Sequence, residues 1–486
     1  MLFFAAAILY SSAHLFGVVG ASTLPETAVV HQAAAVSDTT PRLQAPDEGA
    51  PVSSSALDGC GAERGTATQA TREGRFDAAT CLRELGAAPA WRLLDFSSSL
   101  SQDAGQDVDF ATHLSEDGSA SATRHWWAGL PDSTRDSLIA TMPGVVGNLE
   151  GVPYTVRDEA NRSVLSETLA TIQHRDDRAS AGLTGFGDET ARLTMLQQVD
   201  LALTPGRGGD DTARQLVSLD TVFPGRAAIS VGDLDTARDV SVMVPGMLYT
   251  VSNQITYWTD HAAALHSEQD FWTKTLATTT RRPQSSAVVA WMGYRTPDLT
   301  NVTSLDLARQ GAVHLEESVT GLDAVRAVDR PRLTILAHSY GSTTATIALS
   351  SGRMRADAFV ALGSPGSVVD SASDLSVTRG NVYAAAAALD PVAGLGFFGK
   401  DPGASLFGST LLSVAASTDP FTEQHLTGTW THNNYFDPGS RSMRNLALIG
   451  IGQGALAGGR PPQPDVPQVV SGPSLALVRP QDVYRD

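Results

Sequence analysis

Residues 332–343 read RLTILAHSYGST, and the serine in this stretch stands where a strand-like apolar run meets a helix-compatible run of small residues. Serine catalysis needs a hydroxyl, a base to take its proton and a buried acid to orient and charge the base. The pattern G-x-S-x-G places such a serine on a tight strand-to-helix turn, its hydroxyl raised above the sheet. Here Ala337 takes the first glycine's place and Gly341 the second. Alanine is a mild departure, since the turn requires only a small side chain there. Small residues at such a junction also serve simply to let the backbone turn, so partners must be sought elsewhere. Asp390, at the end of the run NVYAAAAALD, and His432, in GTWTHNNYF, follow Ser339 in the chain order nucleophile, acid, base. Asp370, Asp401 and Asp419 are rival acids, and Asp390-Pro391 is also ordinary turn chemistry. His425 is the rival base. His338 adjoins the serine on a strand, where neighbouring side chains point apart, which suits packing or hydrogen bonding within the turn better than proton transfer. Acyl transfer further needs two amides about 3 Å from the developing oxyanion. The amide of Tyr340 supplies one, and VMVPGM supplies the other: Gly246 permits close approach and the Met247 amide points inward. The alternative for Pro245-Gly246 is a plain turn.

The elements that must hold these groups show in the changes of period. QLVSLDTV, RAAISVGDL, DVSVMVPGM, SAVVAWMGY, RLTILAHSY, ADAFVALGSP and NVYAAAAALD are short apolar runs, most of them separated by helix-length segments from residue 250 onward. This alternation predicts an α/β domain over 206–458: a mainly parallel sheet with helices on both faces. Ligands of such sheets sit at the carboxyl ends of the strands, where Pro245-Gly246-Met247, His338-Ser339-Tyr340, Gly363-Ser364-Pro365 and Asp390-Pro391 fall. Residues 62–205 pattern as helices. Pro131 and Asp132 open one that Pro143 stops, and helical spacing continues over 154–203.

The substrate side is the least explicit. Tyr249, Trp291 and Tyr294 are expected to line a pocket at the strand ends, with Met247, Phe397 and Phe398 near them and Arg295 as the one cation. Such a lining suits a small-molecule or lipid-like ester and offers no cradle for phosphate. The alternative is that these aromatics close the core of the sheet.

Of 486 residues, 42% are hydrophobic, and the formal charge of −18 with a pI near 4.9 excludes a nucleic-acid binder, which needs a basic field. Residues 2–19 are almost wholly apolar and precede Val19-Gly20-Ala21, a small-residue cleavage signal, so 1–21 reads as a signal peptide or membrane anchor. Secretion or a cell-surface location is expected, with membrane or cell-wall association through this end. Residues 22–61, rich in Ala, Ser, Thr, Pro and Asp, read as a flexible leader, and 459–486 as a Pro-rich tail. The two cysteines, Cys60 and Cys81, cannot build a metal site. In an exported chain their pairing would add about 3 kcal/mol; in a cytosolic one they would be unrelated thiols.

HWWAGLP, GNLEGVPYTVRDEANR, VMVPGM, AWMGY, AHSYGS, ALGSPG and the H-x-x-Y of HNNY together resemble the bacterial α/β-hydrolase group known as domain of unknown function 1023, over roughly 125–445. The resemblance implies an α/β-hydrolase fold preceded by helices, and a Ser339, Asp390, His432 triad. It implies no substrate. The residues and the resemblance lead to one expectation: a serine hydrolase of the esterase/lipase-like kind, cleaving a carboxylic ester, or a thioester or amide, through an acyl-enzyme without metal or organic cofactor. The alternatives are a catalytically silent binding module on the same scaffold at the cell surface, and a serine peptidase.

Overall fold

The protein's structure is a computed structural model that describes Leu57, Cys60 and residues 77–100, 105–117, 119–179, 186–277 and 285–458. The apolar start, most of the leader and the Pro-rich tail fall outside these residues. Eight strands form one sheet: β1 (Arg214–Asp220), β2 (Arg226–Val231), β3 (Asp239–Val244), β4 (Ser286–Met292), β5 (Arg332–His338), β6 (Ala358–Leu362), β7 (Val382–Ala385) and β8 (Thr410–Leu411). Their spatial order is β1-β2-β4-β3-β5-β6-β7-β8. β1 and β2 are antiparallel to their neighbours, and all the others run parallel. A separate short ribbon pairs β9 (Ser417–Thr418) with β10 (His425–Leu426).

Parallel neighbours need crossovers, and the helix-length segments supply them. Helices Val251–Leu276, Asp306–Val325 and Tyr340–Ser350 follow β3, β4 and β5 in turn, and Arg441–Gly450 closes the domain. Because successive strand side chains alternate, β5 feeds two cores: Leu333, Ile335 and Ala337 pack on one face and Leu336 on the other. The first face is covered by Leu315 and Val319 of the second crossover and Leu349 of the third. The second is covered by Ile255 and Trp258 of the first crossover and Leu446 of the closing helix. The sheet is buried on both sides, which is why its strands read as continuous apolar runs.

The residues before the sheet form helices at Ala78–Ala87, Ala90–Leu100, Gln106–Asp117, Ala120–Gly129, Asp132–Thr141, Pro143–Val146, Tyr154–Ala179 and Phe186–Ala202. A third core, with Leu85, Leu93, Leu114, Trp127 and Leu138, joins several of them. Cys60 is disulfide-bonded to Cys81 and nearly inaccessible. One residue of the segment that composition marks as a flexible leader is therefore tied covalently to the first helix. The helical portion also occupies the open edge of β1. Asn148 donates to the Leu219 carbonyl and accepts from its amide (3.1 and 3.0 Å), and Asp158 accepts from the Leu216 amide (2.6 Å). An otherwise unpaired edge is thereby satisfied by side chains and cannot recruit another strand.

Candidate active site

The turn after β5 is built from three close approaches. Ser339 adopts φ 55°, ψ −130°, a conformation that side-chain-bearing residues rarely take. A Cβ on Gly341 would come 2.4 Å from the Pro245 carbonyl oxygen, and one on Gly246 would come 2.6 Å from Ser339 Cβ. Glycine at these two positions lets the loop after β3 lie directly against the serine. The Ser339 amide donates to the Leu362 carbonyl (2.9 Å), and the helix Tyr340–Ser350 begins at the next residue. Ala337, in the first glycine's place, is fully buried.

Three side chains meet above this turn. The Ser339 hydroxyl donates to His432 Nε2 (2.8 Å), and His432 Nδ1 donates to Asp390 Oδ1 (2.8 Å). All three residues are about 95% buried. Gly363 leaves room for the pair: a Cβ there would lie 2.6 Å from Asp390 Oδ2 and 3.0 Å from His432 Nδ1. Asp390 is held from every side. Its Oδ1 also accepts the amides of Val392 (2.9 Å) and Ala393 (3.1 Å), and its Oδ2 accepts the Tyr435 hydroxyl (2.6 Å). Burial by itself would raise this carboxyl. The charge and hydrogen bond of His432, then the Tyr435 hydroxyl and the Val392 amide, outweigh burial and hold it down at about 2.

Two further groups fix the constellation. Tyr435, fully buried, passes its proton toward Asp390 while its oxygen accepts the Ala387 amide (2.8 Å), so it ties the acid to the end of β7. His338 donates through Nε2 to the backbone carbonyl of His432 (2.7 Å), the two rings lying 4.6 Å apart. Burial first, and then the neighbouring His432, push the His338 imidazole down to about 3, so it is neutral. His338 is thus the hydrogen-bonding residue of the turn that its strand position implies. Tyr435 was legible only as the last letter of the H-x-x-Y stretch, with no role attached.

The rivals lie elsewhere. Asp370 is exposed, Asp401 accepts the amide of Gly403 within its own turn (2.8 Å), and Asp419 is paired with Arg444 (2.5 Å). His425 sits exposed on β10.

The amides of Tyr340 and Met247 donate to no other group among the described residues, and they flank Ser339 from the helix start and from the loop after β3. Tyr249, Trp291 and Tyr294 are at most 4% exposed and lie in the two cores of the sheet, and Trp291 also lines a small cavity with Gly293 and His314. Tyr249 packs edge-on against Trp258, and Trp291 stacks on Tyr294. The Tyr294 hydroxyl donates to the Pro245 carbonyl (2.7 Å), which supports the loop facing Ser339 from behind. The strand ends where they lie are covered by the crossover helices, so their apolar surface is spent on packing.

The family model described as "Alpha/beta hydrolase" matches residues 220–399. An uncharacterised protein of Mycobacterium tuberculosis (strain ATCC 25618 / H37Rv) is 31% identical over 389 residues, which cover 70% of this chain and 56% of that protein. The chain thus spans little more than half the length of that relative. An uncharacterised protein of Mycobacterium bovis is 33% identical over 249 residues, 48% of this chain and 86% of the relative. Among solved structures, a hyperthermophilic esterase from the archaeon Pyrobaculum calidifontis aligns with TM-score 0.32 and 13% identity, covering 56% of this chain and 92% of that one. With its mostly parallel eight-stranded sheet and these sequence relatives, the chain belongs to the alpha/beta hydrolase family.

Proposed function

We propose that this hydrolase is a serine esterase acting through an acyl-enzyme, with Ser339 as nucleophile, His432 as base and Asp390 as the acid that orients and charges the base. The observation that carries the reading is the unbroken hydrogen-bond chain from the Ser339 hydroxyl through both ring nitrogens of His432 to Asp390, set on a strained turn. As Ser339 Oγ attacks the ester carbonyl, its proton passes to His432 Nε2. Asp390, kept ionised, stabilises the imidazolium. The oxyanion is received by the amides of Tyr340 and Met247. When the C–O bond breaks, Nε2 returns the proton to the leaving alkoxide. Water, deprotonated by the same nitrogen, then releases the carboxylic acid and restores Ser339. The residues perform every proton transfer themselves, and the reading requires no metal or organic cofactor.

The substrate we propose is a small-molecule or lipid-like ester, and the location is secreted or at the cell surface. The Cys60–Cys81 disulfide supports the location, since such bonds persist in oxidising compartments, and so does the apolar segment at residues 2–19. The test of the chemistry is labelling by a fluorophosphonate, which phosphonylates only an activated serine. The wild type labels and Ser339→Ala does not. A wild type that stays unlabelled, or a Ser339→Ala variant that labels equally, overturns the assignment.

A further inference from the structure

The run Ala384–Ala388 is the least strand-like sequence in the sheet, and neither the triad nor the fold requires five alanines there. Only the first two lie in β7, and the rest lead to Asp390. The structure shows what the methyl side chains leave open: a cavity of about 380 Å3 lined by Ala361, Ala384, Ala386, Ala388, Leu411 and Trp430, among others. Protein interiors are close-packed, with few voids larger than a water. An apolar cavity of about 150 Å3 already takes up benzene. A space of this size, with Ala393 of its lining bonded to Asp390, is therefore a place for part of a ligand.

Its position relates it to the triad. Ala388 lies two residues before Asp390, Trp430 two before His432, and Ala393 both lines the cavity and donates to Asp390 Oδ1. Ser364, also in the lining, follows the Gly363 that makes room for Asp390 and His432, and its hydroxyl lies 2.7 Å from that of Ser342, which donates to the Ser339 carbonyl (2.6 Å). Trp430, 58% exposed, stands at the solvent side. The chemistry of the lining selects the ligand. Among the described residues no Lys, Arg or His lines it, and Asp401 does, so a phosphate or free carboxylate is repelled while a neutral hydrocarbon chain is accepted.

We infer that this alanine-lined cavity binds the linear aliphatic chain of the ester, making Ala386, Ala388 and Trp430 specificity-determining residues. The inference rests on the esterase reading, and the experiment separates the two. The probes are p-nitrophenyl esters from acetate to decanoate, which lengthen the acyl side, and alkyl acetates from methyl to octyl, which lengthen the alcohol side. In the wild type, kcat/KM rises roughly three- to fourfold per methylene in one series over the first several carbons. Which series rises states whether the acyl or the alkoxy chain occupies the cavity. Ala388→Leu, half-buried at the wall, fills the space, and Trp430→Ala removes the exposed side, so each lowers the octyl-to-methyl ratio of that series at least tenfold. Trp430→Ala alters an exposed side chain and keeps the test open where Ala388→Leu fails to fold. Labelling by a small fluorophosphonate serves as the control on Ser339. A labelled wild type that is flat in both series, or folded variants that keep the wild-type ratio, overturns the cavity assignment alone. An unlabelled wild type overturns the esterase reading and the cavity with it.

Discussion

Replacing Tyr435 by Phe removes one oxygen and nothing else, at a place where that oxygen joins the acid to the sheet. The hydroxyl donates to Asp390 Oδ2 at 2.6 Å and accepts the Ala387 amide at 2.8 Å, with the ring fully buried. A hydrogen bond to a charged group contributes about 1.5–3 kcal/mol, and a buried amide left without an acceptor costs about 1–3 kcal/mol. Partial relaxation of the Asp390 turn offsets part of this, so Tyr435→Phe is expected to lose about 3 kcal/mol of stability. For a domain of this size that lowers Tm by roughly 6–10 °C. The activity should respond less than to loss of the acid itself, because Asp390 keeps His432 and two backbone amides. One lost restraint on a carboxylate that orients the base is expected to reduce kcat about tenfold with KM nearly constant, since Tyr435 touches the acid and not the substrate. Urea unfolding and steady-state hydrolysis of p-nitrophenyl acetate measure the two effects. A variant that retains wild-type kcat within twofold while showing the full stability loss would refute the idea that Tyr435 positions the acid. Retention of both would refute the hydrogen-bond geometry itself.

Three further outcomes are expected. His432→Ala removes nearly all ester turnover, while His425→Ala, an exposed change on β10, leaves kcat/KM within twofold; the reverse result in the same assay moves the base. Ser339→Gly should be about 1 kcal/mol more stable than Ser339→Ala and melt higher, because glycine takes φ 55°, ψ −130° without the clash of a Cβ, although both are inactive. Equal melting temperatures would argue against strain at the turn. Burial pushes His261 down to about 4, so between about pH 6.5 and 4 the unfolded chain binds a proton that the folded chain does not, and stability falls as pH falls. Carboxyls raised by desolvation, such as the half-buried Asp220 and the buried Asp239, act in the opposite sense, so the measurable quantity is a difference. Relative to its own value at pH 7.5, His261→Gln should lose about 3 kcal/mol less than the wild type by pH 4, measured by urea unfolding. Parallel pH profiles would show that this histidine does not titrate as its burial implies.

What the amino-acid sequence determined by itself was local and periodic. Strand runs such as RLTILAH announce themselves because a sheet covered on both faces needs apolar residues at every position, and the change from period 2 to helical spacing marks each crossover. Ser339 was legible because the demands of its turn are local: a small residue before it, Gly341 after it, and a strand and helix on either side. The chain order of Asp390 and His432 narrowed the partners to a few. Only the tertiary structure shows which of them hydrogen-bond together, because bonding between residues 42 apart depends on where two loops end in space. The same holds for Tyr435 and His338, whose polar atoms reach Asp390 Oδ2 and the His432 carbonyl across the sheet end. It holds most for Tyr249, Trp291 and Tyr294. An aromatic at a strand end has the same local signature whether it lines a pocket or closes a core, and the helices packed over it decide which. The alanine run beside Asp390 is the converse case: its composition was plain from the start, but the space it leaves exists only once Leu411, Trp430 and the loop around Ala393 are folded around it.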